Sequence, residues 1–405
     1  VNEELGVLTN VDEDRTSAKA RIIFHLDLDC FFVAAERLKD PTLVGKCVAV
    51  GGTRERGVIS SASYEARKFG VRSAMPVAQA LRLCPQLILV KSSFELYSEL
   101  SRKVFAVIER FSPTVEQVSV DEGYIDMTGT RLLWGEPLQA AARMRADIKR
   151  ETGLTCSIGI ASNRLVAKVA TDHCKPDGVL EISPGREAEF LAPMSVRKIP
   201  GVGPATAEWL EARGLTLVRD MQAFPGDALE RQYGRYGAWL ARAARGEGSV
   251  EFHEPSKSRS SSRERTFSEN TADRELLRGK LWALCQDLGA QLRRDGDWAR
   301  AVRIKFRFAD FETVTRSRTC EHPLCTDEDL YRLALELFER HWDGERPLRL
   351  IGMGAVLGEA SGPPLRQWGL FENPARELKR EGLAKLRDKI RERFGDDIVK
   401  SEKPE

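Results

Sequence analysis

Residues 21–40 read RIIFHLDLDCFFVAAERLKD. Ile22, Phe24, Leu26 and Leu28 alternate with Ile23, His25, Asp27 and Asp29, and a period of two over this length predicts a strand. The odd-numbered face begins apolar and ends in Asp27 and Asp29, two carboxylates on one side. From Cys30 the period changes. Phe31, Ala34, Ala35 and Leu38 fall at helical spacing, and Asp40-Pro41 stops the helix. Two acids therefore stand where a strand hands over to a helix start. Metal-bound phosphate suits such a place, because carboxylates hold a hard cation and the helix N-terminus offers free N–H groups to anionic oxygens. Two surface acids that merely end a strand fit the same residues, and the stretch alone leaves both readings open.

The 405-residue chain predicts two to four domains, at about 100–200 residues each. Hydrophobic residues at 42% and charged residues at 31% describe a globular protein with real cores. A net charge of +2 means that any nucleic-acid surface must be a local basic patch balanced by acids elsewhere. Eight cysteines are scattered without a CxxC pair, and Cys320 and Cys325 bracket His322 with no two further ligands for zinc. Free thiols in a reducing cytoplasm are the expectation. No apolar run approaches a membrane span. Residues 1–20 are acidic and polar and read as a disordered leader, and Val1 in place of Met leaves room for residues upstream.

Short strands and helices alternate through 42–95: strands at 46–52 and 87–90, a strand of small residues entering a helix over 57–67, and a helix over 75–83. Residues 96–112 are helical, with Leu100, Val104, Val107, Ile108 and Phe111 on one face. VEQVSVDEGYIDMTGT, 115–130, reads as a hairpin turning at Asp121-Glu122-Gly123, where neighbouring acids can converge; a solvated acidic tip has the same composition. A helix over 137–152, a strand over 155–161 and a helix over 163–172 follow. Residues 183–249 turn all-helical. Within them IPGVG, 199–203, followed by PATAEWL, has the form of a helix-hairpin-helix, whose Gly201 and Gly203 let backbone N–H groups approach a DNA phosphate without reading sequence.

Residues 247–262 are Ser-rich and read as a linker. In the strand over 300–308, Val302, Ile304, Phe306 and Phe308 face a core while Arg303, Lys305 and Arg307 face away. With Arg316 and Arg318 on the next strand and Lys257, Arg259, Arg263 and Arg265 upstream, these cations form a strip suited to a phosphate backbone. Helices over 275–294 and 326–342 and a strand over 348–357 complete an α+β unit. In the tail, Gln367-Trp368-Gly369-Leu370-Phe371 ends in an apolar pair suited to a partner's groove, and a highly charged helix-like stretch follows.

Taken in order, DLDCFFVAAE, SYEAR, SVDEGYID, SIGIASNRLVAKVATDHCKPDG and IPGVG resemble the Y-family DNA polymerases, in their bacterial DinB-like branch, over residues 20–372. The resemblance implies an α+β multidomain right hand. Its palm would be 21–30 and 94–182, its small fingers 31–93, its thumb 183–249, and its little finger 257–358 after a linker at 250–256. A tail, 359–405, would carry a sliding-clamp-binding motif in Gln367, Leu370 and Phe371, although Trp368-Gly369 departs from the commoner middle residues. It implies a monomeric, cytoplasmic, error-prone translesion polymerase without proofreading that extends primer-template DNA with dNTPs, using two Mg²⁺ ions per active site.

Residue by residue, the resemblance makes Asp27 and Asp121 the carboxylates bridging both metals, Glu122 the ligand at the primer hydroxyl, and the Leu28 carbonyl a ligand of the nucleotide metal. The amides of Cys30, Phe31 and Phe32 would hold the β- and γ-phosphates, together with Tyr64, Arg67 and Lys175. Phe32 would be the steric gate against a 2′-hydroxyl, and Ser60, Ser61 and Ala62 the roof of the nascent base pair. A silent DNA-binding relative has no need of the acidic trio. A nucleotidyl cyclase on the same carboxylates has no need of a helix-hairpin-helix or a basic strand.

Overall fold

Ile23–Leu28 form the first strand, β1, at the centre of a five-stranded sheet. The computed structural model describes residues 21–254, 257–358 and 374–395. The leader 1–20 and the motif residues Gln367, Leu370 and Phe371 lie outside them. The chain divides into two compact units, Val1–Pro255 and Ser256–Glu405.

In chain order the first unit continues with α1 (Phe31–Lys39), β2 (Val48–Gly51), β3 (Ile59–Ala62), α2 (Tyr64–Arg67), α3 (Val77–Leu83), β4 (Ile88–Val90), α4 (Phe94–Ile108), β5 (Val115–Gln117) and β6 (Glu122–Asp126). Then come α5 (Arg131–Trp134), α6 (Pro137–Thr152), β7 (Cys156–Ala161), α7 (Arg164–Cys174) and β8 (Val179–Glu181). A helical layer closes the unit: α8 (Glu187–Leu191), α9 (Pro204–Glu211), α10 (Val218–Ala223), α11 (Gly226–Tyr233) and α12 (Arg235–Ala244). The main sheet runs β5-β6-β1-β7-β8, and a small sheet runs β3-β2-β4.

Both faces of β1 are covered. Phe24, Leu26 and Leu28 enter one core with Phe105 and Ile108 of α4 and Met144 and Ile148 of α6. Ile23 joins a second core with Val166 and Ala170 of α7 and with Leu191, Leu210 and Leu240 of the helical layer. Each such side chain contributes about 1.5–3 kcal/mol on leaving water. The strand stops at Leu28, so Asp29 does not share an open face with Asp27. Its buried carboxylate accepts hydrogen bonds from Ser157 Oγ and the Asp177 amide, both at 2.9 Å. The apolar stripe of α1 is also shifted. Phe31, Val33, Ala35 and Glu36 are buried while Leu38 is exposed, because α1 packs against β2, β3 and α4 together.

The hairpin turns three residues earlier than its composition predicts. Gln117 pairs with Gly123, so 118–121 make the turn, and Val118 and Val120 are exposed rather than in a strand. Glu122 already belongs to β6, directly opposite Asp27 in the register with β1.

Helix α7 rests on β7 at Gly159. A Cβ at that position would lie 2.1 Å from the Ala167 carbonyl oxygen and 2.4 Å from the Thr171 amide. Only glycine permits this approach. Thr171 completes the seam: its Oγ1 accepts from the Gly159 amide at 2.9 Å and donates to the His25 carbonyl at 2.8 Å.

The second unit comprises β9 (Ser260–Thr271), α13 (Arg274–Asp295), β10 (Ala299–Phe308), β11 (Thr313–Leu324), α14 (Asp327–His341), β12 (Leu348–Leu357) and α15 (Pro374–Phe394). Its sheet runs β11-β10-β12-β9, antiparallel throughout, with one face packed on α13 and α14. The Ser-rich stretch read as linker is therefore partly strand, since Ser260–Ser262 pair with Gly354–Val356. Helix α15 is tied to α13 and α14 by a buried charge cluster. Arg293 binds both Asp388 oxygens (2.6 and 2.8 Å) and Asp327 (2.7 Å).

Gly159→Ala should destabilise the chain by about 1–3 kcal/mol, the usual cost of overpacking a tight interface. Urea denaturation read by circular dichroism checks this; an unchanged midpoint would mean that α7 can lift off β7 without cost.

Candidate active site and nucleic-acid interface

Asp27 is the penultimate residue of β1, and the Asp121 carbonyl accepts from the amide of the next residue, Leu28, at 2.9 Å. These two acids share a cleft of ≈ 190 Å³ with Leu28, Cys30, Phe31, Phe32, Ser60, Ser61, Tyr64, Arg67, Ser73 and Lys175. Elements far apart in sequence thus converge: the ends of β1 and β6, the start of α1, β3 with α2, and the residue that caps α7. Glu122 shares Asp27's face of the sheet but is drawn toward Lys168 Nζ at 2.5 Å, with His25 Nε2 at 3.7 Å. Among the described residues no three acidic, His or Cys side chains stand close enough to form a ready-made metal cluster. Instead, Lys175 Nζ sits 2.7 Å from Asp27 and 3.0 Å from Asp172, and Lys168 sits on Glu122.

The electrostatics follow from burial and crowding. Loss of water pushes Asp27 up to about 6, against the pull of Lys175, and the neighbouring Asp121 and Glu122 push the same way. Glu122 is held down to about 2 by His25 and Lys168. Burial depresses His25. Burial opposes the charge on Lys175, yet Asp27 and Asp172 beside it carry it up to about 12. Ser119 fixes Asp121, donating to Oδ1 at 2.5 Å and accepting from the amides of Asp121 and Glu122.

The start of α1, Tyr64 and Arg67 line the same cleft. Cys30, the N-cap of α1, has φ 41° and ψ 48°, a left-handed conformation that non-glycine residues rarely adopt and that costs about 1–2 kcal/mol. It leads into the first amides of α1, which have no carbonyl partner within the helix. The Tyr64 hydroxyl is buried with no hydrogen-bond partner among the described residues, and burial raises it to about 12. Arg67 donates through Nε to the Ala62 carbonyl (3.0 Å) and lies 4.6 Å from the Tyr64 ring centre, leaving its two amino groups for a ligand. Phe31 is buried in the core and Phe32 is half-buried on the cleft wall. Ala62 does not roof the cleft: it faces a core with Ile59, Ala66 and Val77.

Sequence reasoning missed Ser73, Lys168, His25 and Thr171. A signal for the α7 residues was present, since Lys168, Thr171, Asp172 and Lys175 recur at i, i+3, i+4 and i+7.

The helix-hairpin-helix glycines differ from each other. Gly201 has φ 96° and packs on Trp239, where a Cβ would meet the ring at 2.8 Å. A Cβ at Gly203, the N-cap of α9, would meet nothing within 4 Å.

The basic strip of the second unit splits between two faces. Residues opposite one another in an antiparallel register share a face. Arg316 pairs with Ile304, Arg318 with Val302, Arg263 with Met353 and Arg265 with Ile351, so all four lie on the helix-covered side. Arg318 binds Glu336 of α14, and Arg263 binds Gln291 of α13. Lys257 pairs with Asp297 at 2.5 Å, and Arg259 is an exposed residue just before β9. The open face keeps Arg303, Lys305 and Arg307, with Lys305 bound to Glu264 at 2.9 Å and Arg307 to Thr313 at 2.8 Å. Around them is a hydroxyl-rich surface, with Ser262 on β9, Thr313, Thr315 and Ser317 on β11, and a glycine floor at Gly352 and Gly354.

Comparison with known proteins matches residues 26–172 to the impB/mucB/samB family, 184–215 to the IMS family HHH motif, and 258–357 to the impB/mucB/samB family C-terminal domain. The chain is 39% identical to DNA polymerase IV of Dehalococcoides mccartyi (strain CBDB1) over 377 residues, covering 93% of this chain and 95% of that one. In fold it is similar to a Y-family DNA polymerase chimera of Dbh and Dpo4 (TM-score 0.73, 25% identity, 83% and 98% covered). It is also similar to the insertion ternary complex of Dbh DNA polymerase (TM-score 0.59, 25% identity, 83% and 98% covered). The chain therefore belongs to the impB/mucB/samB family, the Y-family DNA polymerases, in its DinB-like branch, and its mixed α/β architecture is the right-hand fold of that family.

Arg303→Ala should weaken primer-template binding and reduce the slope of log affinity against log salt by about 1, as the loss of one phosphate contact does. Arg318→Ala should leave both unchanged. Fluorescence anisotropy across a salt series checks the pair; equal losses would mean that the helix-covered side also meets DNA.

Proposed function

We propose that Asp27, Asp121 and Glu122 are the metal-holding carboxylates of this chain, a DNA-directed DNA polymerase of the translesion type that adds dNTPs to a primer 3′ end. The observation that carries this reading is the single cleft in which Asp27 and Asp121 face Tyr64, Arg67 and Lys175. Carboxylates and phosphate-binding groups lining one cleft match a nucleotide triphosphate bound there.

The catalysis of the family depends on divalent metal, and the residues present fit such an ion. Asp27, Asp121, Glu122 and the Leu28 carbonyl are hard oxygen donors. Asp27 is raised toward neutral pH by burial and by its acidic neighbours, so added positive charge stabilises its ionised form. Lysine ammonium groups already sit against two of the acids. Mg²⁺ is the ion proposed, two per site, supplying Lewis-acid stabilisation of the attacking and leaving oxygens when bound.

The remaining roles fall to the chain itself. The amides of Cys30, Phe31 and Phe32, the Tyr64 hydroxyl, Arg67 and Lys175 bind and orient the β- and γ-phosphates, Arg67 with two donors and Lys175 as a point charge. Phe32 fills the space beside the sugar C2′ and excludes ribonucleotides. Ser60 and Ser61 present only small side chains to the nascent base pair, which suits loose checking of its shape. Residues 21–30 and 94–182 act as palm, 31–93 as fingers, 183–249 as thumb and 257–358 as little finger. Gly201 and Gly203 meet the DNA backbone through their amides, and Arg303 and Arg307 meet it from the open sheet face. Gln367, Leu370 and Phe371 dock on the bacterial sliding clamp. The chain works as a monomer in the cytoplasm. No helix among the described residues is long and apolar enough to cross a membrane.

Asp121→Ala should lower single-nucleotide addition by about 10²–10³-fold, the scale on which removal of a preorganised charge-stabilising group acts, while leaving primer-template affinity near wild type. Primer extension with one dNTP at a time, with Mg²⁺ and with EDTA, measures this; extension retained by the variant would refute the metal assignment. Deleting 367–371 should abolish stimulation by the clamp and leave clamp-free extension intact; an undiminished response in the same assay would place the contact elsewhere.

A further inference from the structure

Behind the cleft, three side chains form a continuous support. The Tyr97 ring lies flat on Phe32, with centres 4.4 Å apart and planes at 17°. Phe31 and Phe94 close on the same ring at 6.0 and 5.9 Å, steeply tilted. Tyr97 is 1% exposed, and its hydroxyl donates to Glu36 Oε1 at 2.5 Å. Glu36 is 3% exposed and sits four residues after Phe32 on α1. The two residues therefore lie one turn apart on one side of the helix.

A carboxylate buried in an apolar core is costly unless hydrogen-bonded. Leu43, Val48, Val50 and Leu100 belong to the same apolar core as Tyr97, the partner of Glu36, so an aliphatic side chain at 36 would be compatible with packing alone. What the acid adds is direction. Stacked rings slide and tilt at little cost, whereas a hydroxyl held at the far end of the ring fixes both its position and its in-plane rotation.

We propose that Glu36 is a positioning residue for sugar selection: through the Tyr97 hydroxyl it holds the ring that keeps Phe32 forward against the nucleotide sugar. The inference rests on the reading of Phe32 as the gate. If Tyr97 tilts or withdraws, Phe32 has room to retreat, and the space beside C2′ opens without any change in the gate residue itself. Glu36 is not among the residues lining the cleft, so its loss should alter the choice of sugar rather than the rate with the correct one.

The test is kcat/KM for dCTP and for CTP opposite template dG in wild type, Glu36→Leu, Glu36→Gln, Tyr97→Phe and Phe32→Ala, with thermal melting of each. Glu36→Leu and Tyr97→Phe should each lower the deoxy-to-ribo ratio about tenfold, a change worth ~1.4 kcal/mol, chiefly through improved use of CTP. Glu36→Gln, whose amide oxygen still accepts the hydroxyl, should restore most of the ratio. A purely structural tie between α1 and α4 would lower the melting temperature without moving the ratio. That result, with Phe32→Ala admitting CTP, overturns the positioning role while leaving the gate in place. Strict exclusion of CTP by Phe32→Ala overturns the gate reading and this inference with it. Should Glu36→Leu fail to fold, Tyr97→Phe removes the same bond while keeping the ring and decides the matter alone.

Discussion

Three carboxylates crowded at the end of a strand buried on both faces are the constraint around which the first unit is built. Burial of β1 gives the sheet its centre, and it also removes water from Asp27 and lifts that carboxyl to about 6. Asp121 and Glu122 arrive at the same edge through the register of β6 and add their repulsion. Such an arrangement is stable only with positive charge nearby. Lys168 of α7 and Lys175 at its end provide it in the protein alone, and the same deficit underlies the proposed binding of a divalent ion and a triphosphate at this edge.

The cations come from one helix, and its placement depends on a missing side chain. Gly159 lets α7 approach β7 closely enough for Thr171 to bond the backbone of both β1 and β7. Lys168 then reaches Glu122, and Lys175, at the end of the helix, reaches Asp27. Asp29 secures that far end: by binding the Asp177 amide and Ser157 it ties the turn after Lys175 to the end of β1. Asp29 thus positions the site although its carboxylate points away from it. A sequence reading that pairs it with Asp27 by alternation cannot foresee this, because the strand ends one residue before it.

Much of this was legible in the chain. The shift from a period of two to helical spacing at Cys30 locates β1 and α1, and Asp27, Phe32, Tyr64, Arg67, Asp121 and Lys175 come together in one cleft, while Glu122 turns to Lys168 beside it. What failed were features fixed across the sheet rather than along the strand. Arg316 and Arg318 alternate correctly within β11, but the face they occupy depends on their pairing with Ile304 and Val302, which no local pattern encodes. Arg263 and Arg265 take the face that β9 gives them by pairing with Met353 and Ile351, and the Ser-rich start of β9 lacks the β-branched residues that mark a strand. The hairpin slipped because Asp-Glu-Gly has turn composition, yet Glu122 and Gly123 are held in β6 by pairing with β1 and β5.

The cleft is unequally built, and the inequality has a functional logic. On the side proposed for the sugar, Phe32 is backed by Tyr97 and flanked by Phe31, and Tyr97 is braced by Phe94 and by the buried Glu36 side chain. On the side assigned to the base pair stand Ser60 and Ser61, whose short side chains reach little. With Phe32 as the proposed gate, a wall whose stacked ring is fixed by the Tyr97–Glu36 bond would exclude an extra hydroxyl by steric cost. A shallow roof imposes almost no such cost on a misshapen base. An enzyme that must copy damaged templates while still making DNA needs these two stringencies set independently. In the proposed assignment they sit on separate elements, α1 with α4 for the sugar and β3 for the base, which would allow one to be strict while the other is permissive.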